Sequence, residues 1–552
     1  MNKGVKILLI IIVLVIVVGG FFLFFISFGT FSTLSASAGL ANKQMTTATT
    51  ASEVGLAVGG AKDVNNFRQN IVNNFMPIET DMTYEGLFYG YYFDTGETEQ
   101  CYKLFCPSYT YAVTKDPFSK NTDYYLSVGL NSGITDFKRK KLNLVVVLDI
   151  SGSMGEAFNS YYYDNYGNRV QNTEESVKKK IKVAEESIVA MLDHLNSSDS
   201  FGLVTFETTS RIEEPLKKVS SIDMEALKSR ILGINEAGST DLSAGMRTAS
   251  GMFTELLKAN QSEYENRIIF LTDAMPNTGD FSENGLFGMA KANSDAKLYT
   301  TFIGIGVDFN TMLIENITKM RGANYYSVHS SADFKKRMDD EFDYMVTPLV
   351  FNVLLKLDAT GYKIEKVYGS PEADEATGEL MKVNTLFPSE KTEEGTKGGI
   401  VILKLTKLSP EGSMKLRVSY EDREGVPGQS EESVVIGNNQ PEFFENSGIR
   451  KGILLSRYAD VMKNWVKDER TEYNSKTPVR PCVNYIDGIP VPVEREYSQL
   501  GEWERQSMPL QVSDSYKSVF RDLKSYFESE INAINDTTLK QEADILEKLI
   551  SV

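Results

Sequence analysis

Asp149-Ile150-Ser151-Gly152-Ser153 sets one carboxylate and two hydroxyls at alternate positions. On a tight loop the three can face one point, and hard oxygen donors of this kind suit Mg²⁺, Mn²⁺ or Ca²⁺ rather than zinc. Two further segments would complete an octahedron. Thr240 lies in Gly238-Ser239-Thr240-Asp241, and Asp273 closes Ile269-Phe270-Leu271-Thr272-Asp273. Mg²⁺ is the expected ion, with Mn²⁺ and Ca²⁺ the other candidates. Other chemistries find no support. The two histidines, His194 and His329, cannot build a multi-histidine centre, and HExxH is absent. Ser151-Gly152-Ser153 is not a nucleophile elbow, because G-x-S-x-G is missing. Three cysteines are too few for a four-cysteine zinc site. No catalytic constellation emerges, so binding rather than catalysis is expected.

The elements that must position these donors follow an alternating pattern. Leu142 to Asp149 is a short apolar run of the kind that forms a fully buried parallel strand. Phe201–Phe206, Arg267–Thr272, Tyr299–Ile305 and Tyr325–Val328 read as further strands. Ser176 to Leu195 reads as a helix with Ile181, Ala184, Ile188 and Met191 on one face. Helices near 223–233, 241–258, 285–294, 309–320 and 332–346 complete the alternation, which implies a parallel sheet covered on both faces. In such a sheet ligands bind at the carboxyl ends of the strands, where Asp149 and Asp273 both fall.

From about Asn143 to Met345 the chain resembles the von Willebrand factor type A domain, a doubly wound, Rossmann-like α/β fold with a metal-ion-dependent adhesion site. The likeness includes Gly202-Leu203-Val204-Thr205-Phe206 and Ile303-Gly304-Ile305-Gly306. It implies that Ser151 and Ser153 bind the metal directly. Asp149, Thr240 and Asp273 would bind directly or through water, and the open coordination position would accept a carboxylate from a protein partner. It also implies a shift of the last helix, 332–346, when that carboxylate binds. Where bacterial relatives usually carry glycine after the last aspartate, this chain has Ala274. An apparent insertion, 159–172, places Tyr161, Tyr162, Tyr163 and Tyr166 beside the site. These are either partner anchors or a self-packed loop.

The flanks read as follows. Residues 1–30 form a transmembrane anchor: Ile7 to Phe28 carries no charge and is long enough, at about 1.5 Å per residue, to cross a roughly 30 Å core. Lys3 and Lys6 place the N-terminus in the cytoplasm and the bulk of the chain outside. The alternative is a signal cleaved near Ala36-Ser37-Ala38, which would leave a secreted protein. Residues 31–75 read as a stalk with a short helix, 76–141 as an aromatic β-rich extension, 142–346 as the α/β domain, 347–440 as a β-sandwich and 441–552 as a helical region. Cys101 and Cys106, outside the membrane by this topology, are expected to form a disulfide.

With 58 basic and 75 acidic residues the net charge is −17, which argues against a nucleic-acid partner. The expected function is a membrane-anchored protein that binds a partner through a divalent cation, for adhesion or complex assembly. An auxiliary or sensory subunit of a membrane complex is the second reading. A chelatase-type subunit working with an AAA+ ATPase is the third.

Overall fold

The computed structural model describes residues 54–61, 64–135, 137–157, 178–258, 262–273, 285–305, 320–328, 330–370, 379–409, 412–437, 440–476 and 508–552, with short strand pairs at 162–170 and 482–493. Its α/β part is one sheet in the order Ser210–Lys218, Ser200–Phe206, Lys141–Asp149, Tyr264–Thr272, Leu298–Ile305, Asn324–Val328, Gly60–Ala61. All neighbours are parallel except Ser210–Lys218, which runs antiparallel to Ser200–Phe206.

The apolar run at 142–148 exists because both of its faces are covered. Leu144, Val146 and Leu148 enter one core with Ile181, Ala184 and Ile188 of the helix Lys180–Leu192 and with Leu227 of Met224–Ile231. Val145 and Val147 enter the opposite core with Met246 of Leu242–Gly251 and Ala290 of Leu286–Asp295. Lys141–Asp149 and Tyr264–Thr272 are adjacent and parallel. Asp149 and Asp273 therefore emerge side by side at the same sheet edge.

The remaining strands build a sandwich from both flanks of this domain. Ile400–Lys407 pairs with Thr122–Asn131, and Val54–Val58 pairs with Glu379–Thr392. Segments on either side of the α/β domain are thus bonded strand to strand. Val128, Leu130, Val353, Leu355, Val401 and Leu403 fill the space between the sheets. Ile400 and Ile402 point the other way, onto the long helix Ser447–Lys476 at Gly452, and share a core with Ile449, Ile453 and Trp465 of that helix. The helices Asp514–Ile534 and Lys540–Ser551 close that second core.

A buried ionic cluster joins the α/β domain to the sandwich. Glu341, between the π-helical turn Lys336–Asp340 and the helix Phe342–Val346, accepts from Lys397 Nζ of the sandwich strand Gly395–Lys397 at 2.6 Å. It also pairs with Arg337, while Lys336 Nζ stands 3.9 Å away. Lys397 Nζ lies 4.8 Å from the centroid of the Tyr89 ring.

Several elements differ from the sequence-based expectation. Within the expected stalk, Val54–Val58 is a fully buried strand. Its Gly55 packs where a β-carbon would strike the Thr396 side chain, so small residues here serve close packing as well as flexibility. Within the expected β-rich extension, Tyr84–Tyr89 is a helix, started by the Thr83 hydroxyl accepting from Gly86 N–H at 3.0 Å. The helix expected from Ser176 begins at Lys180, and the last helix of the α/β domain is broken into Ser331–Lys335, the π turn and Phe342–Val346. The edge strand Ser210–Lys218 was not anticipated. The expected anchor and residues 309–319 of the expected helix at 309–320 lie outside the described residues. Among the described residues no helix is long and apolar enough to cross a membrane.

Candidate metal centre

The loop after Lys141–Asp149 turns at once into a short 3₁₀ segment, Gly152–Gly155, which brings both serines back over the strand end. Ser151 Oγ and Ser153 Oγ are 3.1 Å apart, and Ser153 Oγ donates to Asp273 Oδ1 at 2.8 Å. Beneath them Asp149 is fully buried. Its Oδ1 accepts from Ser151 N–H at 2.8 Å and its Oδ2 from the Thr272 hydroxyl at 2.6 Å. Burial, and then the negative charge of Asp273, push the Asp149 carboxyl up to about 7.

These donors fit a small divalent ion. At a Mg²⁺–oxygen distance of about 2.1 Å, adjacent ligands of an octahedron are about 3 Å apart. The spacings of 3.1 and 2.8 Å among Ser151, Ser153 and Asp273 match that edge. A fixed cation already stands at the same place: Lys180 Nζ, on the first turn of Lys180–Leu192, donates to Asp273 Oδ2 at 2.8 Å. Both side chains are almost wholly buried.

Thr240 is exposed on a loop carried up to the site by backbone bonds. Gly152 N–H donates to Gly238 carbonyl at 3.2 Å and Ala237 N–H to Ile150 carbonyl at 2.7 Å. On its far side the loop is tied down by Asp241 N–H to Glu207 carbonyl at 2.7 Å. Gly238 has φ +74°, a conformation that glycine adopts freely. The adjacent Asp241 caps the helix Leu242–Gly251, accepting from Ala244 N–H at 3.0 Å.

Asp149, Ser151, Ser153 and Asp273 thus meet directly, whereas Thr240 is brought near by its loop. Tyr161 and Tyr166 lie outside the described residues. Tyr162 and Tyr163 pair with Val170 and Arg169 as two short antiparallel strands. Ala274 also lies outside the described residues. Cys101 and Cys106 form a disulfide. Among the described residues no group of three or more His, Cys, Asp or Glu side chains is placed to hold a metal ion.

A family model described as the von Willebrand factor type A domain matches residues 144–275, the span that carries all five candidate donor positions. The chain contains a type A domain. Inter-alpha-trypsin inhibitor heavy chain H4 of Bos taurus is 24% identical over 217 residues, 38% of this chain and 21% of that one. Heavy chain H2 of Sus scrofa is 22% identical over 217 residues, 38% of this chain and 20% of its own length. The matched region spans about a fifth of these relatives. Among solved structures, a von Willebrand factor type A protein from Catenulispora acidiphila has a TM-score of 0.38 at 13% identity, covering 66% of this chain and 82% of that one. The ArnB paralog VWA2 from Sulfolobus acidocaldarius has a TM-score of 0.37 at 13% identity, covering 81% and 98%.

Two residues of the candidate site escaped sequence reasoning. Thr272 orients Asp149 and looks, in sequence, like the last residue of a strand. Lys180 is one of three consecutive lysines, of which Lys178 and Lys179 pair with Glu186 and Glu236 on the surface. Its signal is phase. Lys180 falls one, two and three helical turns before Ala184, Ser187 and Met191, the buried stripe.

Proposed function

We propose that the type A domain holds one divalent cation, Mg²⁺ first, through Ser151, Ser153 and Asp273, with Asp149 and Thr240 reaching it directly or through water. When bound, the ion supplies a Lewis-acidic position for a carboxylate oxygen of a protein partner. The chain's own residues do the rest. Asp149 fixes the loop by accepting from Ser151 N–H, and Thr272 fixes Asp149. Ser153, exposed on the 3₁₀ turn, presents the rim at which a partner carboxylate would dock. The role is binding rather than catalysis, in a protein held at the membrane by its N-terminal segment with the bulk of the chain outside the cytoplasm. Type A domains usually mediate protein–protein interaction, which supports this reading. The observation that carries it is the convergence of Ser151, Ser153 and Asp273 at octahedral-edge spacing over a buried Asp149.

Calorimetric titration of Mg²⁺, Mn²⁺ and Ca²⁺ into the full chain in mild detergent tests it, beside Asp149→Ala. One ion per chain, lost in the variant, is expected. Heat that is absent in the native chain, or unchanged in Asp149→Ala, would overturn it.

A further inference from the structure

The structure carries a second cation to the same carboxylate that a divalent ion needs. Lys180 Nζ donates to Asp273 Oδ2 at 2.8 Å, while Asp273 Oδ1 accepts from Ser153 Oγ at 2.8 Å. Asp273 is thereby engaged on both oxygens, and Lys180, at 4% exposure, is buried against it. An ammonium rarely enters a protein interior without such a partner. Its placement is built in. Lys180 N–H donates to the Glu156 carbonyl at 2.9 Å, and Lys179 bridges to Ala157, so the first turn of the helix is stitched to the serine loop itself.

We infer that Lys180 is an internal competitor for the divalent cation: its ammonium satisfies Asp273 when no metal is bound, and metal entry requires that ion pair to be displaced or shared. This rests on the cation-binding reading above. The charge count gives the direction. With Lys180 in place, a divalent ion meets two carboxylates and one ammonium; without it, the ion meets the two carboxylates alone. The consequence is a site that stays folded without metal and binds metal more weakly than its oxygen donors allow. Occupancy then depends on the divalent concentration around the chain instead of being permanent. A charge-assisted hydrogen bond of this kind, converted at ten-fold per ~1.4 kcal/mol, corresponds to about ten-fold or more in cation affinity.

The test measures Mn²⁺ binding to the full chain by the loss of the free-ion electron paramagnetic resonance signal, with Mg²⁺ competition. Native chain, Lys180→Met, Lys180→Gln and Lys180→Arg are compared, and each is melted in chelator and in excess Mn²⁺. Lys180→Met and Lys180→Gln are expected to bind Mn²⁺ about ten-fold or more tightly, to melt lower in chelator, and to recover in Mn²⁺. Lys180→Arg, which keeps the charge, should show no such tightening. If one neutral variant fails to fold, the other carries the comparison. Equal or weaker Mn²⁺ binding in the neutral variants, beside a native chain that binds, overturns the competitor role and leaves the cation-binding reading standing. No binding in any chain overturns both.

Discussion

Glu341→Gln removes a buried carboxylate that faces three cations where the type A domain meets the sandwich. Lys397 donates to it at 2.6 Å, Arg337 pairs with it, and Lys336 lies 3.9 Å away. Burial alone would raise the Glu341 carboxyl, but Arg337 and Lys397 outweigh it and hold the group down at about 2. Burial pushes the Lys397 ammonium below the usual lysine range, and Glu341 restores only part of that, because Arg337 and Lys336 also face it. A displacement from 4.5 to about 2 corresponds to about 3 kcal/mol at ~1.4 kcal/mol per pH unit. Leaving the buried Lys397 ammonium without this anion gives a similar figure, about 3–5 kcal/mol. Glutamine keeps the shape and loses the charge, so urea denaturation followed by circular dichroism should show a loss of about 3 kcal/mol near neutral pH. Because the folded-state pKa is depressed, this stabilisation is complete above the ordinary value of 4.5 and lost as pH falls through about 2. The gap between the native chain and Glu341→Gln should therefore close over that interval. Adding Lys397→Met to Glu341→Gln should recover part of the loss, since it removes one of the stranded cations. A loss below about 1 kcal/mol, or a gap independent of pH down to 2, would refute the reasoning.

Thr272→Val removes the 2.6 Å donor to the buried Asp149 carboxylate; urea denaturation should register about 1–3 kcal/mol, and calorimetry a weaker divalent affinity. Gly238→Ala places a side chain at φ +74° and against the Glu207 carboxylate. A cost of about 1–2 kcal/mol is expected by urea denaturation, together with weaker Mg²⁺ binding as the Thr240 loop shifts. Cys101→Ser with Cys106→Ser opens a short disulfide loop and should lower stability by about 2 kcal/mol without changing Mg²⁺ affinity. An unchanged melting temperature would show that the loop is held by its packing.

How much was legible depended on how local each signal is. The strand at 142–149 could be read because both its faces are buried, which turns alternation into a continuous apolar run. The convergence of Asp149, Ser151, Ser153 and Asp273 could be read because adjacent parallel strands that end at one sheet edge bring the residues after them together. The edge strand Ser210–Lys218 was hidden by its chemistry. It carries Arg211, Glu213, Glu214, Pro215, Lys217 and Lys218, the charges and proline that guard an exposed edge. The pairing of Thr122–Asn131 with Ile400–Lys407 joins residues on opposite sides of the type A domain, and no local pattern specifies such a partner. Lys180 was hidden by its neighbours, since three adjacent lysines differ only in helical phase, and the start of that helix lay four residues later than its composition implied.

The most direct test of the account is anomalous diffraction from crystals of the chain grown with Mn²⁺. One peak is expected within about 2.2 Å of Ser151 Oγ and Ser153 Oγ, beside Asp273, sharing that carboxylate with Lys180 Nζ or displacing it. A site without a peak at saturating Mn²⁺, with Lys180 still seated on Asp273, would contradict it.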